Sequence, residues 1–365
     1  MKIRKHVCMA AVLMLGGCSS SRPMVAEREG VVRVRGSEAR ELLSRSRTSA
    51  QSEYASPARR AVLLDRANEM LIEATEATDP QMRAHAYEAL VQEPELLDGV
   101  IERGLLDENY GVRSIAAMAV GKAKLEGHMD TLRILAADES PFVSTSAIYS
   151  LVTLGEDVDR TPLADALLQD RQPELRSHAA FLLGEIGDSS ALPLLRDAAR
   201  RTMPRSMSAQ VRLSDLQLSE AMAKLGDEDQ LEPLRAALFP AQPSDLEATA
   251  LAVQILGELG DEASRGTLAQ LAETKGPTGE SMPPEILLTI AITMAKLGDL
   301  NGWYLADRFW ESDRIVLRAD SAAVYGWTAR DEDLAKLELM LSDPVGVVRV
   351  AAASALVRRL KVSDV

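Results

Sequence analysis

The sequence predicts an all-α protein, a right-handed α-solenoid of about nine helical hairpins, and three observations predict it. A short theme centred on Arg recurs every 30 to 39 residues, apolar columns run in helical register with it, and only 4% of residues are aromatic in a chain that is 46% hydrophobic. Abundant Ala and Leu with few aromatics suit thin helices packed closely together.

The first element is residues 1–17. Lys2, Arg4 and Lys5 make a positive start, Val7 to Leu15 is apolar, and Leu15-Gly16-Gly17-Cys18 offers a small-residue cleavage site ending in cysteine. A bilayer core needs about 20 helical residues, so this run reads as a removed signal and not as a membrane span. It resembles the bacterial lipoprotein signal peptide, whose recognition box ends in cysteine. The resemblance implies cleavage before Cys18, lipidation of Cys18 (palmitate among its acyl chains), and attachment to a membrane of the cell envelope. Ser19 after the cysteine favours the outer over the inner membrane. An ordinary signal peptide with a chance cysteine is the alternative.

Residues 18–57 follow as a lipid-anchored flexible tether, rich in Ser, Arg, Glu and Ala without sustained periodicity. Residues 1–17 carry +3 and residues 18–60 carry +4; against a total of −14, the remainder holds −21. An acidic body of that size repels polyanions, which argues against nucleic acid as a partner. The short basic stretch either rests on an anionic membrane surface or is a solvated arm. Both cysteines, Cys8 and Cys18, lie in the first eighteen residues, so the folded part has no internal disulfide and no thiolate metal site.

Residues 58–365 are the solenoid. Aligned on the Arg position, the units fall at residues 83, 113, 144, 176, 215, 249, 287, 318 and 349. One residue earlier the column reads Met82, Val112, Val143, Leu175, Ser214, Ala248, Ile286, Leu317 and Val348. Seven residues after the Arg position it reads Leu90, Val120, Leu151, Leu183, Met222, Leu256, Met294, Tyr325 and Leu356. These two columns are eight residues apart and share one helical face. Three after the Arg position, Ala86, Ala116, Ala147, Ala179, Ala252, Ser321 and Ala352 keep that face small. A second apolar helix, entered through Gly187-Asp188, Gly226-Asp227, Gly260-Asp261 and Gly298-Asp299, completes each hairpin, glycine allowing a left-handed helix end and Asp capping the next start.

With this period and an Asp-x5-Arg-x2-Ala-Ala pattern, residues 61–360 resemble the HEAT-repeat family, in particular the short bacterial HEAT-like repeats found in phycobilin lyase subunits. The pattern weakens at residues 206–225 and 282–298, where Asp215 and Leu287 take the Arg position. The resemblance implies a curved superhelix with the second helices on the concave side. At ~8 to 10 Å between packed helices, nine units span about 80 Å, with Ala58 to Thr78 and Arg358-Arg359-Leu360-Lys361 as polar caps at opposite ends.

The recurring charges, Asp107, Asp138, Asp170 and Asp343 with Arg83, Arg113, Arg176, Arg318 and Arg349, read as a structural ladder between repeats, because catalytic groups do not recur unit by unit. His85, His128 and His178 lie in different units without a metal-spaced partner, and no catalytic or nucleotide-binding motif is present. The expectation is therefore no catalytic site, no metal and no cofactor. The departure from the repeat is aromatic: six of the thirteen aromatic residues lie between Trp303 and Trp327. Trp303 and Tyr325 align with core positions. Trp327 stands in a column otherwise filled by Gln92, Lys122, Thr153, Glu185, Lys224, Glu258, Lys296 and Arg358, which places it toward solvent or a groove edge unless it folds back over Trp310 or Tyr304.

Insertions at 201–209, 239–245 and 273–284 read as surface loops, the first offering Arg201 and Arg205 as a second candidate contact. The functional expectation is an envelope scaffold that is not an enzyme. It binds a protein or peptide through its acidic concave groove and the region of Trp327, Trp310 and Tyr304. The alternative is a phycobilin-lyase-like accessory protein with a small ligand or chromophore in the groove.

Overall fold

Helix starts are set by proline in the first turn of many helices, as at Pro57, Pro80, Pro94, Pro141, Pro173 and Pro284, where the missing N–H has no helical partner to lose. Gly187, Gly226, Gly260 and Gly298 all take the left-handed conformation expected of them, with φ of 75°, 100°, 67° and 94°. The computed structural model describes residues 54, 56–169, 171–201, 208–275, 279 and 281–362. Among the described residues, eighteen α-helices form nine hairpins.

In chain order the pairs are α1 (Pro57–Ala74) with α2 (Pro80–Leu90), α3 (Pro94–Leu105) with α4 (Tyr110–Ala123), and α5 (Met129–Leu135) with α6 (Pro141–Thr153). Next come α7 (Thr161–Leu167) with α8 (Pro173–Ile186), α9 (Leu192–Arg200) with α10 (Ser208–Lys224), and α11 (Leu231–Ala236) with α12 (Leu246–Leu259). The last three are α13 (Arg265–Glu273) with α14 (Pro284–Lys296), α15 (Trp303–Phe309) with α16 (Ile315–Tyr325), and α17 (Asp331–Met340) with α18 (Gly346–Val362). Among the described residues, the one extended pairing is a single bridge between Lys275 and Ser281.

Each second helix packs on the second helix of the next unit, from α2 on α4 to α16 on α18, whereas the first helices lean mainly on second helices. The columns read from the sequence explain this. Val112, Val143, Leu317 and Val348 before the Arg position, and Leu90, Val120, Leu256 and Leu356 after it, are essentially inaccessible. Small residues let the backbones approach: a Cβ on Gly184 would lie 3.0 Å from the Cα of Ala221 in the next second helix. Second helices that close up while first helices stay apart put the second helices on the inside of a curve.

The curve closes. α18 packs along α1 and, less extensively, on α2, whereas α2 packs more on α4 than on α3. A single core cluster holds Leu63, Leu71 and Leu90 together with Val348, Leu356 and Leu360. This corrects the expectation of an open superhelix with free polar caps. Every joint bends the same way, and after nine units the bend brings the last helix onto the first.

Charge pairs reinforce the seam. Glu338 of α17 accepts from Tyr54 Oη (2.7 Å), Arg59 (2.6 Å) and Arg66 (2.6 Å) of the first unit, and Lys361 of α18 reaches Glu93 at 2.9 Å. Tyr54 is buried there, so the folded part extends back into the stretch read as tether, which was expected to run to residue 57. The burial and Glu338 beside it push the Tyr54 hydroxyl well above its ordinary value.

Candidate functional site

The Arg and Asp columns meet as a ladder. Arg83 bonds Asp107 with Nε and Nη2, both at 2.7 Å; Arg113 bonds Asp138 at 3.0 and 3.1 Å; Arg318 bonds Asp343 at 2.8 and 3.1 Å. The same guanidinium groups also clasp carbonyls of their own preceding loop, Arg83 on Ala77 and Arg113 on Asp107, each at 2.8 Å. Each Asp accepts in addition from the backbone N–H two residues on, in Asn109, Ser140 and Val345. One carboxylate thus caps its own helix start and holds the previous unit, which is a structural role.

Two members depart. Arg349 clasps the carbonyls of Asp343 and Pro344, but the position that would supply its Asp is Ala77. Arg176 is buried, donates to the Ala198 carbonyl at 2.7 Å, and lies 3.6 Å from Asp215, the acidic residue standing in the next unit's Arg position. Its burial holds the guanidinium below its ordinary value. Asp170 lies outside the described residues.

A second ladder escaped the sequence reading. On the outer side Arg133 pairs with Glu156 (2.8 Å), Arg160 with Asp188 (3.1 Å), Arg196 with Asp227 (2.8 Å) and Arg235 with Asp261 (2.6 Å). The acceptors follow the glycines that end α6, α8, α10 and α12. Of these, Asp188, Asp227 and Asp261 carry only a capping role in the sequence reading, a role that Asp188 and Asp299 do play through Ser190 and Asn301, and Glu156 carries none. The signal was a basic residue 23 to 31 positions before each acidic one, blurred by unequal loop lengths.

The inner face is not the acidic groove expected of a body carrying −21. In the column of Trp327 four cations stand against two carboxylates, and the three lysines are paired with acidic side chains. Lys224 lies 2.7 Å from both Glu185 and Glu220, Lys122 lies 3.5 Å from Glu185, and Lys296 pairs with Glu258. Burial opposes the charge on Lys224, but Glu220 and Glu185 outweigh it and raise its pKa. Between these ions Met118, Tyr149 and Phe181 are buried, with Lys122 and Lys224 over the Phe181 ring at 5.3 and 5.2 Å. His178 is buried beside Ser146 (3.1 Å), and that burial pulls it down to about 4, so it is neutral. Asp320, shielded from water and facing Glu285, is pushed up to about 7.

The aromatic candidates divide between two faces. Trp327, just past α16, is half-buried between the C-terminal ends of α14 and α18, with Lys296 5.7 Å and Arg358 4.9 Å from its ring centroid. It is less exposed than its polar column implied, because the long cations of that column cover it. Among the described residues it makes no ring contact with Trp310 or Tyr304, so the three form no common patch.

Trp310 is half-buried against the core, whereas Tyr304 of the first helix α15 is 52% exposed and Leu300 42%. Beneath Tyr304 lies Trp303, edge-on at 6.2 Å, with Arg330 stacked 3.8 Å from the Trp303 centroid. Arg330 is itself tied to Asp333 and Asp307. Arg201 is exposed and pairs with Asp197 at 3.3 Å, while Arg205 and Cys18 lie outside the described residues.

Among the described residues no cluster of three His, Cys, Asp or Glu side chains is arranged to hold a metal ion, and no helix is long and apolar enough to cross a membrane. The HEAT repeats family matches residues 160–250. No curated protein matches the chain. Among solved structures it is similar to the complex of CpcE and CpcF of phycocyanin lyase from Nostoc sp. PCC7120, at 18% identity over 66% of this chain and 94% of that one, TM-score 0.42. It is also similar to human deoxyhypusine hydroxylase, at 20% identity over 74% and 97%, TM-score 0.36. An engineered protein follows, at 14% identity over 88% and 98%, TM-score 0.33.

Proposed function

Because the chain is a HEAT-repeat protein whose helical solenoid is shut into a ring, we propose that it works by binding and not by catalysis, as a membrane-tethered scaffold of the cell envelope holding a protein or peptide partner. Fold alone does not dictate function, so the reading rests on a surface. The observation that carries it is Tyr304. In a chain with few aromatic side chains, this one stands half out of the ring on a base fixed by Trp303 and Arg330, next to exposed Leu300. A rigid amphipathic ring gives up little conformational freedom on contact and concentrates binding energy in a small area.

The test is affinity capture of the lipidated protein from its own membranes, with Tyr304→Ala and Trp327→Ala beside wild type. Tyr304→Ala is expected to lose the stoichiometric partner at an unchanged melting temperature; a partner retained by Tyr304→Ala and lost by Trp327→Ala moves the contact to the inner face. Labelling with palmitate checks the tether, since Cys18→Ser is expected to abolish the label and release the protein from membranes. A second reading, a small ligand on the inner side, has in its favour that Gln254 Oε1 and Trp327 Nε1 are buried without a hydrogen-bond partner. Absorbance of the purified protein beyond the aromatic band tests its chromophore form.

A further inference from the structure

Where α1, α3 and the end of α18 meet, the outer surface opens into a cleft of about 690 Å³. Two of the residues that line it each carry a buried, unpartnered acceptor oxygen, Oδ1 of Asn68 on α1 and Oε1 of Glu93 just before α3. Glu93 is only 9% exposed, and its other oxygen is taken by Lys361 at 2.9 Å. Buried acceptors are costly to leave empty and are ordinarily paired. Around them stand three further carboxylates, Asp65, Glu69 and Glu95, and the walls between are the apolar side chains of Leu64, Ile72 and Leu96.

Acceptors without donors, a surplus of negative charge and an apolar lining together describe the complement of one chemical group. That group is an aliphatic stem ending in a cation with several N–H donors. A guanidinium, with five donors in a planar fork, can satisfy oxygens on two different elements at once, and its methylenes lie along apolar walls. We propose that this cleft receives an arginine side chain presented by a partner peptide. The inference rests on reading the ring as a binding platform and names the chemistry of one contact, at units away from Tyr304.

The test uses the folded protein and a fluorescein-labelled peptide, Gly-Ala-Arg-Ala-Gly, followed by anisotropy at low ionic strength. Its control is the same peptide with citrulline, which keeps the shape of arginine and removes the charge. The arginine peptide is expected to bind at least tenfold more tightly than the citrulline peptide. Glu93→Gln is expected to weaken the arginine peptide about tenfold, and Asn68→Leu at least threefold. Asp229→Asn, an exposed carboxylate at the start of the sixth unit, is expected to change nothing.

Equal binding of the two peptides, or equal losses in Glu93→Gln and Asp229→Asn, would overturn the site and leave only attraction to net charge. If Glu93→Gln unfolds because Lys361 loses its partner, Asn68→Leu decides, since it leaves every ion pair in place. Failure of the arginine peptide to bind wild type sinks the cleft while partner capture through Tyr304 can still succeed, so the two readings fail separately.

Discussion

The joint between the second and third units and the seam between the ninth and the first differ in helix packing and in polar bonding: α4 packs on α6, whereas α18 packs mainly along α1 and less on α2. At the regular joint Arg113 crosses to Asp138, 25 residues along the chain, in a bidentate pair that also clasps the loop before its own helix. At the seam the corresponding carboxylate is missing. In its place Arg59, Arg66 and Tyr54 converge on Glu338, from about 280 residues away in sequence. The repeated bond belongs to the unit and comes with every copy that keeps the motif. The seam bond exists once and serves only closure. Propagation is thus encoded in the repeat, and closure in its exceptions.

The largest expected effect breaks the seam. Ala67 of α1 is fully buried on the helix that α18 packs along. Ala67→Glu buries an unpaired charge there and is expected to cost about 4 kcal/mol or more. If the ring is held shut by this contact, small-angle scattering will show a larger radius of gyration while circular dichroism retains most of the helix. Complete loss of helix would instead make seam and joints one cooperative unit, and an unchanged radius would place α1 outside the closing contact.

A series along the Arg column comes next. Arg113→Ala leaves a mostly buried Asp138 and freed loop carbonyls, which is expected to cost about 3 kcal/mol, with Arg318→Ala alike. Arg349, which has only the carbonyls of Asp343 and Pro344, is expected to lose about 1 kcal/mol on truncation. Denaturant titration of the three variants measures the difference, and equal costs would mean that the carboxylate adds nothing to the clasp.

These contrasts also mark what the sequence made legible. The nine units, the buried columns and the glycine turns follow from local chemistry at a nearly fixed period, and in the structure Arg83 pairs with Asp107, Arg113 with Asp138 and Arg318 with Asp343. Closure is not legible in that way. It is a sum of small bends over nine joints, and its bonds join Tyr54 and Arg59 to Glu338 with no repeated spacing to betray them. Of the candidate surface, Trp327 is the aromatic exception in a polar column, and it is half-buried. The cations that made the column polar, Lys296 and Arg358, are what cover it, because a long basic side chain can lie over an indole as readily as extend into water. Tyr304 gave only a composition signal, and its exposure depends on Arg330 having claimed the face of Trp303.

The smallest effect sharpens the comparison most. If α18 still brings Arg349 opposite residue 77 despite its heavier packing on α1, restoring the missing carboxylate should complete the ladder. Ala77 stands six residues before Arg83, as Asp107 does before Arg113, and its carbonyl already accepts from Arg83 just as the Asp107 carbonyl accepts from Arg113. Ala77→Asp therefore places a carboxylate opposite Arg349. The expected gain is about 1 kcal/mol, below the full value of a charge-assisted pair because Glu76 and Asp79 repel the newcomer. The gain should vanish when Arg349→Ala is present, so a double-mutant cycle in denaturant isolates it. A coupling near zero would mean that α18 meets α2 at a different angle from α2 on α4, and the seam would then be a joint of another kind from those that carry the Arg–Asp pair.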